Sequence, residues 1–261
     1  GDKRKRNQIC HGGDYPVTVT PGRFWLITVA TAAAVVVTSS LGVWQLSRAS
    51  QKEALQAATD AMKVRPALDN DQLEALQDTA AQLHRPVQLQ GRWLAQHSVF
   101  LDNRQMYGKP GFYVLTPLAL DNSDTVVMVQ RGWVQRNFVD RERLPPVETP
   151  AGLVTVQGRL APAPARLFEF SGAGPSAGSS AIRQNLDLAA FGAETRLALR
   201  TFTVVQTGQA SQGLMRDWPE PATGTGKHYG YAFQWFGLSG LLGVLYVWFQ
   251  FIAPRRKARS A

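Results

Sequence analysis

The sequence predicts an α+β membrane protein: two transmembrane helices flank an extracytoplasmic domain built on an antiparallel β-sheet or small barrel, with short helices. Three observations predict it. Residues 24–47 and 229–254 carry no charge and are mainly apolar. A helix rising ~1.5 Å per residue needs ~20 such residues to cross a hydrocarbon core of ~30 Å, and both windows are long enough. Basic residues flank both windows on their outer ends. Between the windows, apolar residues recur with the period of short strands, and little helix separates them.

The elements follow in order. Residues 1–22 form a basic tail, expected to be disordered and cytoplasmic. Residues 23–47 form the first span, with Phe24 and Trp25 at its inner edge and Trp44 at its outer edge, where interfacial aromatics sit. Its uncharged stretch exceeds the ~7–15 residues of a signal-peptide core and lacks a good cleavage site before Trp44, so a retained anchor is expected. Ala30, Ala34, Thr38 and Gly42 make a small-residue stripe, expected to pack on the second span. Residues 49–62 are strong helix formers, so the first helix should continue past the bilayer until Pro66. Asp69 or Asn70 is expected to cap a second helix over 71–83.

The period then changes to that of strands. Strands are expected at 87–91, 99–104, 112–120, 125–134, 154–160, 167–170 and 201–205. Asp121-Asn122-Ser123-Asp124 reads as the turn of a hairpin. Asp187 is expected to cap a short helix ending near Ala193. Residues 171–181 read as a Gly/Ser-rich loop. The β-rich domain covers residues 48–227, the second span 228–253, and a second basic tail 254–261.

Charge sets the orientation. Of 28 Lys+Arg, five precede Phe24 and four follow Pro254; the nineteen between them face seventeen Asp+Glu. The net charge of +9 therefore belongs mostly to the tails and argues against nucleic acid as a partner. Short Lys/Arg-rich flanks stay cytoplasmic, which puts both termini inside and the central domain outside. The one cysteine, Cys10, lies in the first tail, so the central domain folds without disulfides. One cysteine and four scattered histidines do not make a zinc site. No phosphate-binding loop and no Ser/His/Asp set is present, so an enzyme is not expected.

Three segments concentrate unusual residues. The first is Leu101-Asp102-Asn103-Arg104, followed by Gly108, Gly111-Phe112-Tyr113 and Thr116-Pro117. The second is Val129-Gln130-Arg131-Gly132-Trp133-Val134. The third is His228-Tyr229-Gly230-Tyr231-Ala232-Phe233-Gln234-Trp235-Phe236, where the chain enters the second span. On a helix, His228, Tyr231, Ala232 and Trp235 share a face. A neutral imidazole can ligate haem iron and flat aromatics can pack on a porphyrin. An interfacial anchor explains the same residues. Gln234, inside the span, is expected to face another helix or a cavity. Arg104 and Arg131 have the planar fork that binds carboxylates such as haem propionates; each can equally serve structure, against Asp102 or a loop carbonyl.

Taken together, these segments resemble the Surfeit-locus family of cytochrome c oxidase assembly factors over most of the chain. Gly42-x-Trp44-Gln45-Leu46-x-Arg48 matches the end of that family's first helix. Gly91-Arg92-Trp93, Leu101-Asp102-Asn103-Arg104, Thr116-Pro117 and Arg131-Gly132-Trp133-Val134 match its middle. His228-x-x-Tyr231-Ala232-x-Gln234-Trp235-Phe236 matches the start of its last helix. The resemblance implies a haem a chaperone in the bacterial inner membrane. It would bind haem a transiently through His228, with Tyr231 and Trp235 beside the ring and Arg104 or Arg131 near the propionates. Its partners would be haem a synthase, oxidase subunit I and the lipid bilayer. The alternative is a cofactor-free scaffold that holds apo-subunit I during assembly.

Overall fold

The computed structural model describes residues 21–140, 143–168, 181–219 and 224–259. They divide into two compact units, a helical unit of residues 1–53 with 224–261 and a sheet unit of residues 54–223. The first tail up to residue 20, residues 169–180 and residues 260–261 lie outside the described set, and with them the expectations made there.

The helical unit is an antiparallel pair. Helix α1, Pro21–Lys63, runs unbroken through the first apolar window and on into the polar stretch expected to continue it. Both helices of the pair are long and apolar enough to cross a bilayer. The seam uses Ala34, Thr38 and Gly42 as the sequence suggests, but Ala30 is exposed and Thr31 takes its place. The face drifts because a helix turns ~100° per residue, so a strict four-residue stripe rotates away from its partner. Ser39 Oγ and Ser239 Oγ meet at 2.9 Å, and Thr28 Oγ1 and Tyr246 Oη at 2.7 Å. A Cβ at Gly42 would stand 2.7 Å from the Phe236 ring, so this glycine is a close-approach position.

The sheet unit opens with a short helix, α2, Asn70–Glu74. Asp69 caps it through Gln72 N, and the Gln72 side chain returns the bond in a capping box. The helix expected to reach residue 83 ends here. Asp78 Oδ1 takes the Ala81 N–H at 3.1 Å and starts a separate 3-10 turn at Ala80–Gln82, a local bond that competes with the helix.

Seven strands follow: β1 (Pro86–Trp93), β2 (Val99–Met106), β3 (Lys109–Leu120), β4 (Val126–Gln135), β5 (Leu153–Ala161), β6 (Ile182–Arg183) and β7 (Leu199–Gln206). Helix α3, Leu188–Thr195, lies between β6 and β7 and is capped by the Asp187 side chain on Ala190 N, as expected. The sheet order is β1-β5-β7-β4-β3-β2-β6, and β1 also pairs with β3. That extra pairing closes β1, β5, β7, β4 and β3 into a five-stranded barrel. The sheet is mixed rather than antiparallel throughout: β4–β7 and β2–β6 run parallel. The crossover through α3 returns β7 parallel to β4, a link that strand-by-strand reading does not carry. Leu167 and Phe168 are irregular rather than strand.

The barrel interior comes from alternate residues: Val87 and Leu89, Leu118 and Leu120, Val127 and Val129, Val156 and Leu160, Phe202 and Val204. Leu68 and Leu73 join this cluster from the α2 segment. A Cβ at Gly91 would fall on the Ala119 carbonyl oxygen, so the β1–β3 closure depends on a glycine there. On the other face, Leu188 and Phe191 of α3 pack over Val99, Leu101, Leu115 and Met128.

Helix α4, Thr225–Val247, begins three residues before the expected 228. A π-helical turn, Trp248–Ile252, leads into α5, Ala253–Arg259, so helix continues into the basic segment expected to be tail.

Candidate functional site

The head of α4 is tied to α1 at two points. His228 Nδ1 lies 2.7 Å from Gln45 Oε1, and the Tyr229 hydroxyl donates to Glu53 Oε1 at 3.0 Å. The first bond orients the imidazole. An amide oxygen accepts, so in the neutral ring Nδ1 donates this bond and Nε2 holds the lone pair. That tautomer can ligate a metal through Nε2, and an acceptor on Nδ1 raises the basicity of the ring. His228 is half-buried, and its Nε2 has no partner among the described residues.

Around it, Ala232 is buried against the pair while Tyr231 is 52% exposed. Trp235 is half-buried. Helical spacing of three, four and seven residues puts these side chains along one lip of the seam between α1 and α4. A wide aromatic surface thus lies beside a directed nitrogen donor. Gln234 does not face α1; it is exposed, because Ala232 and Phe236 occupy the seam and Gln234 points away from both. Gln45 is the residue that sequence reasoning missed. It stood in the quoted motif of the first helix, but nothing in a linear sequence pairs it with His228.

The two arginines are part of the sheet unit. In β2, the pairing with β3 slips between Leu101 and Arg104, where Asn103 adopts a left-handed φ of 59°. This bulge inserts one residue, so Leu101 and Arg104, three apart, both point inward. Arg104 Nη2 donates to Ala165 O at 2.9 Å and Gln184 O at 3.2 Å, and its guanidinium lies 5.9 Å from the Tyr113 ring. Burial lowers its pKa and raises that of Tyr113. Asp102 pairs with Arg136 instead, at 3.3 Å.

Arg131 occupies a second irregularity, on β4, where Val114 pairs with Gly132 and Leu115 with Gln130. It is 0% exposed. Nη1 donates to Thr149 Oγ1 at 2.7 Å, and Nη2 to Glu148 O and Gln212 Oε1, each at 2.6 Å. Its guanidinium lies 4.8 Å from the Trp93 ring. Burial, with Arg216 as a second cation, lowers its pKa to about 10. Both guanidiniums therefore bond within the sheet unit, to loop carbonyls and, for Arg131, also to the Thr149 hydroxyl and the Gln212 amide oxygen, and Arg131 is fully buried.

The remaining motif residues join the two bulges. Trp133 Nε1 donates to Arg104 O at 2.9 Å, and its backbone bridges to Met215. A Cβ on Gly132 would stand 2.7 Å from Leu214 Cβ, and one on Gly111 would stand 2.5 Å from the Trp133 ring. Ser98 and Thr116 share a hydrogen bond of 2.9 Å. The described residues hold no cluster of three or more His, Cys, Asp or Glu side chains able to bind a metal.

A model of the SURF1 family matches residues 32–240, a span that takes in every motif from Gly42 to Phe236. A SURF1-like protein of Rickettsia felis is 34% identical over 96 residues, covering 36% of this chain and 40% of that protein. A SURF1-like protein of Rickettsia prowazekii is 25% identical over 222 residues, covering 81% of this chain and 84% of that protein. One from Drosophila melanogaster is 30% identical over 142 residues, covering 48% of this chain and 44% of that protein.

Proposed function

Because the chain belongs to the SURF1 family, we propose that it is a cytochrome c oxidase assembly factor that binds haem a and aids its insertion into oxidase subunit I. The observation that carries this reading is the 2.7 Å bond from His228 Nδ1 to Gln45 Oε1, which leaves Nε2 as a lone-pair donor. Haem a is cargo here, not a resident catalyst. His228 Nε2 ligates its iron, and Tyr231 and Trp235 offer apolar surface to the ring. Arg104 and Arg131 stay outside the cargo site, since Arg104 Nη2 and both terminal nitrogens of Arg131 are engaged within the sheet unit. The protein acts stoichiometrically, as a carrier between haem a synthase and the apo-subunit. It spans the bacterial inner membrane twice, with both termini cytoplasmic and the sheet unit in the periplasm.

The test is the optical spectrum of the full-length protein purified from cells that make haem a. Wild type is expected to carry haem a and His228→Ala to lose it. Gln45→Ala is expected to weaken binding about 10- to 100-fold, as removal of an outer-shell partner of a metal-ligating histidine does. Wild-type protein without haem a above background would sink the cargo reading and leave the scaffold that holds apo-subunit I.

A further inference from the structure

The sheet unit also holds positive charge that haem delivery does not use. Arg131 and Arg216 are close enough for one to depress the pKa of the other, and no carboxylate pairs with either among the described residues. Arg216 Nε donates to Arg131 O at 2.9 Å and Nη1 to Gln209 O at 2.5 Å. Its Nη2 is buried and has no partner among the described residues. A partly desolvated cation without a counter-charge carries a cost, and an anion that reached it would reduce that cost.

Arg216 lines a cavity of about 750 Å³, along with Lys63, His84, Arg159, Tyr107 and Trp218. Three cations thus face one acid, Asp217, on the same wall. Lys63 meets Asp60 at 3.0 Å and Arg159 Nη1 lies 3.4 Å from His84 Nδ1; of the three cations, Arg216 is the one with a buried nitrogen left unbonded among the described residues. Burial lowers the pKa of His84, and Arg159 and Lys63 lower it further.

The apolar part of the wall is built at a conformational cost. Tyr107 and Gly108 turn the β2–β3 hairpin with φ of 51° and 72°. Asn is the residue that takes the first such position easily. A tyrosine stands there instead, 72% exposed over the cavity. Trp218 is fixed opposite, with Nε1 donating to Gln206 O at 2.7 Å and its ring edge-on to Tyr113 at 5.1 Å. Pro86 and Pro219 complete the apolar lining.

We propose that this cavity binds a small molecule that carries a carboxylate or phosphate on an apolar body. The Arg216 guanidinium takes the anionic oxygen, and Tyr107 and Trp218 take the apolar body. All of its residues belong to the sheet unit, so the proposal stands or falls apart from haem binding at His228.

The full-length protein in detergent, labelled in its histidine rings, provides the test. It has four histidines, and the His84 signal is the one lost in His84→Asn. The His84 titration is followed by NMR at constant ionic strength in chloride, then with inorganic phosphate, then with 2-naphthoate as the anion with an apolar body. An anion beside His84 favours the imidazolium, so 2-naphthoate is expected to raise the His84 midpoint. Phosphate is expected to do so only at higher concentration. Arg216→Gln abolishes the rise. Tyr107→Asn, which suits the left-handed turn and leaves the buried bonds intact, weakens 2-naphthoate about tenfold, the scale of one lost aromatic contact. The proposal is overturned if 2-naphthoate leaves the midpoint at its chloride value, or if the rise persists in Arg216→Gln. Equal potency of phosphate and 2-naphthoate, or undiminished binding to Tyr107→Asn, overturns the apolar half.

Discussion

Arg131 shows how a single residue links two levels of the fold. It leaves the sheet at a bulge and holds Glu148, Thr149 and Gln212, residues of two different connections. Arg131→Ala leaves three acceptors without their donor and opens a void under Trp93. A loss of about 3–5 kcal/mol is expected, measured by chemical unfolding of the sheet unit within the full-length protein. Arg131→Lys recovers little, because an ammonium lacks the planar fork. His84 governs a pH effect. Its folded pKa lies below that of the unfolded chain, so the folded state binds fewer protons in that interval. Stability is full above the unfolded value of about 6.5 and falls as pH drops toward the folded value. His84→Asn keeps the left-handed backbone of φ 71° and is expected to flatten that acid-side decline in a series of melting temperatures.

At the scale of elements, close approaches decide the pairings. The barrel closes where β1 meets β3, and Gly91 is the residue that permits it. Gly91→Ala pushes a methyl group against the Ala119 carbonyl, a backbone atom that cannot swing aside. It is expected to cost about 1–3 kcal/mol and to raise amide exchange along residues 118–120. In the helical unit, the antiparallel register is set by Ser39 with Ser239 and by Gly42 with Phe236. Cysteines placed by Ser39→Cys and Ser239→Cys are therefore expected to form a disulfide on oxidation in native membranes. Adding Gly42→Leu is expected to suppress it. Efficient cross-linking in that triple variant would count against the register.

For the whole molecule, the proposed topology makes a prediction from charge alone. Cys10 is the only cysteine and lies in the first basic segment. A membrane-impermeant maleimide is expected to miss it in intact spheroplasts and to label Asp124→Cys, which adds a thiol in the exposed β3–β4 turn. Labelling of Cys10 from outside would reverse the orientation. Much of the chain was legible in advance for the same reason: hydropathy and strand period are local. Both apolar helices, the Asp121–Asp124 turn and the Asp69 and Asp187 caps stand where their residues place them. The helix expected over 71–83 did not survive, because Asp78 offered the backbone a nearer bond.

What the sequence determined by itself was composition-driven: two apolar helices, a strand-rich middle, short motifs in a recognisable order. These follow from interactions within a few residues of each other. The tertiary structure alone decided which motif residues meet. Gln45 and His228 lie 183 positions apart and share a hydrogen bond only because two helices run antiparallel in one register. Arg104 and Arg131 read as candidate ligand arginines because their residue type suits an anion. Two bulges set where those side chains point, since an extra residue in a strand sends a side chain to the opposite face. The closed barrel and its two parallel pairings likewise depend on contacts between distant strands, where pairing is set by shape and register and leaves no local mark.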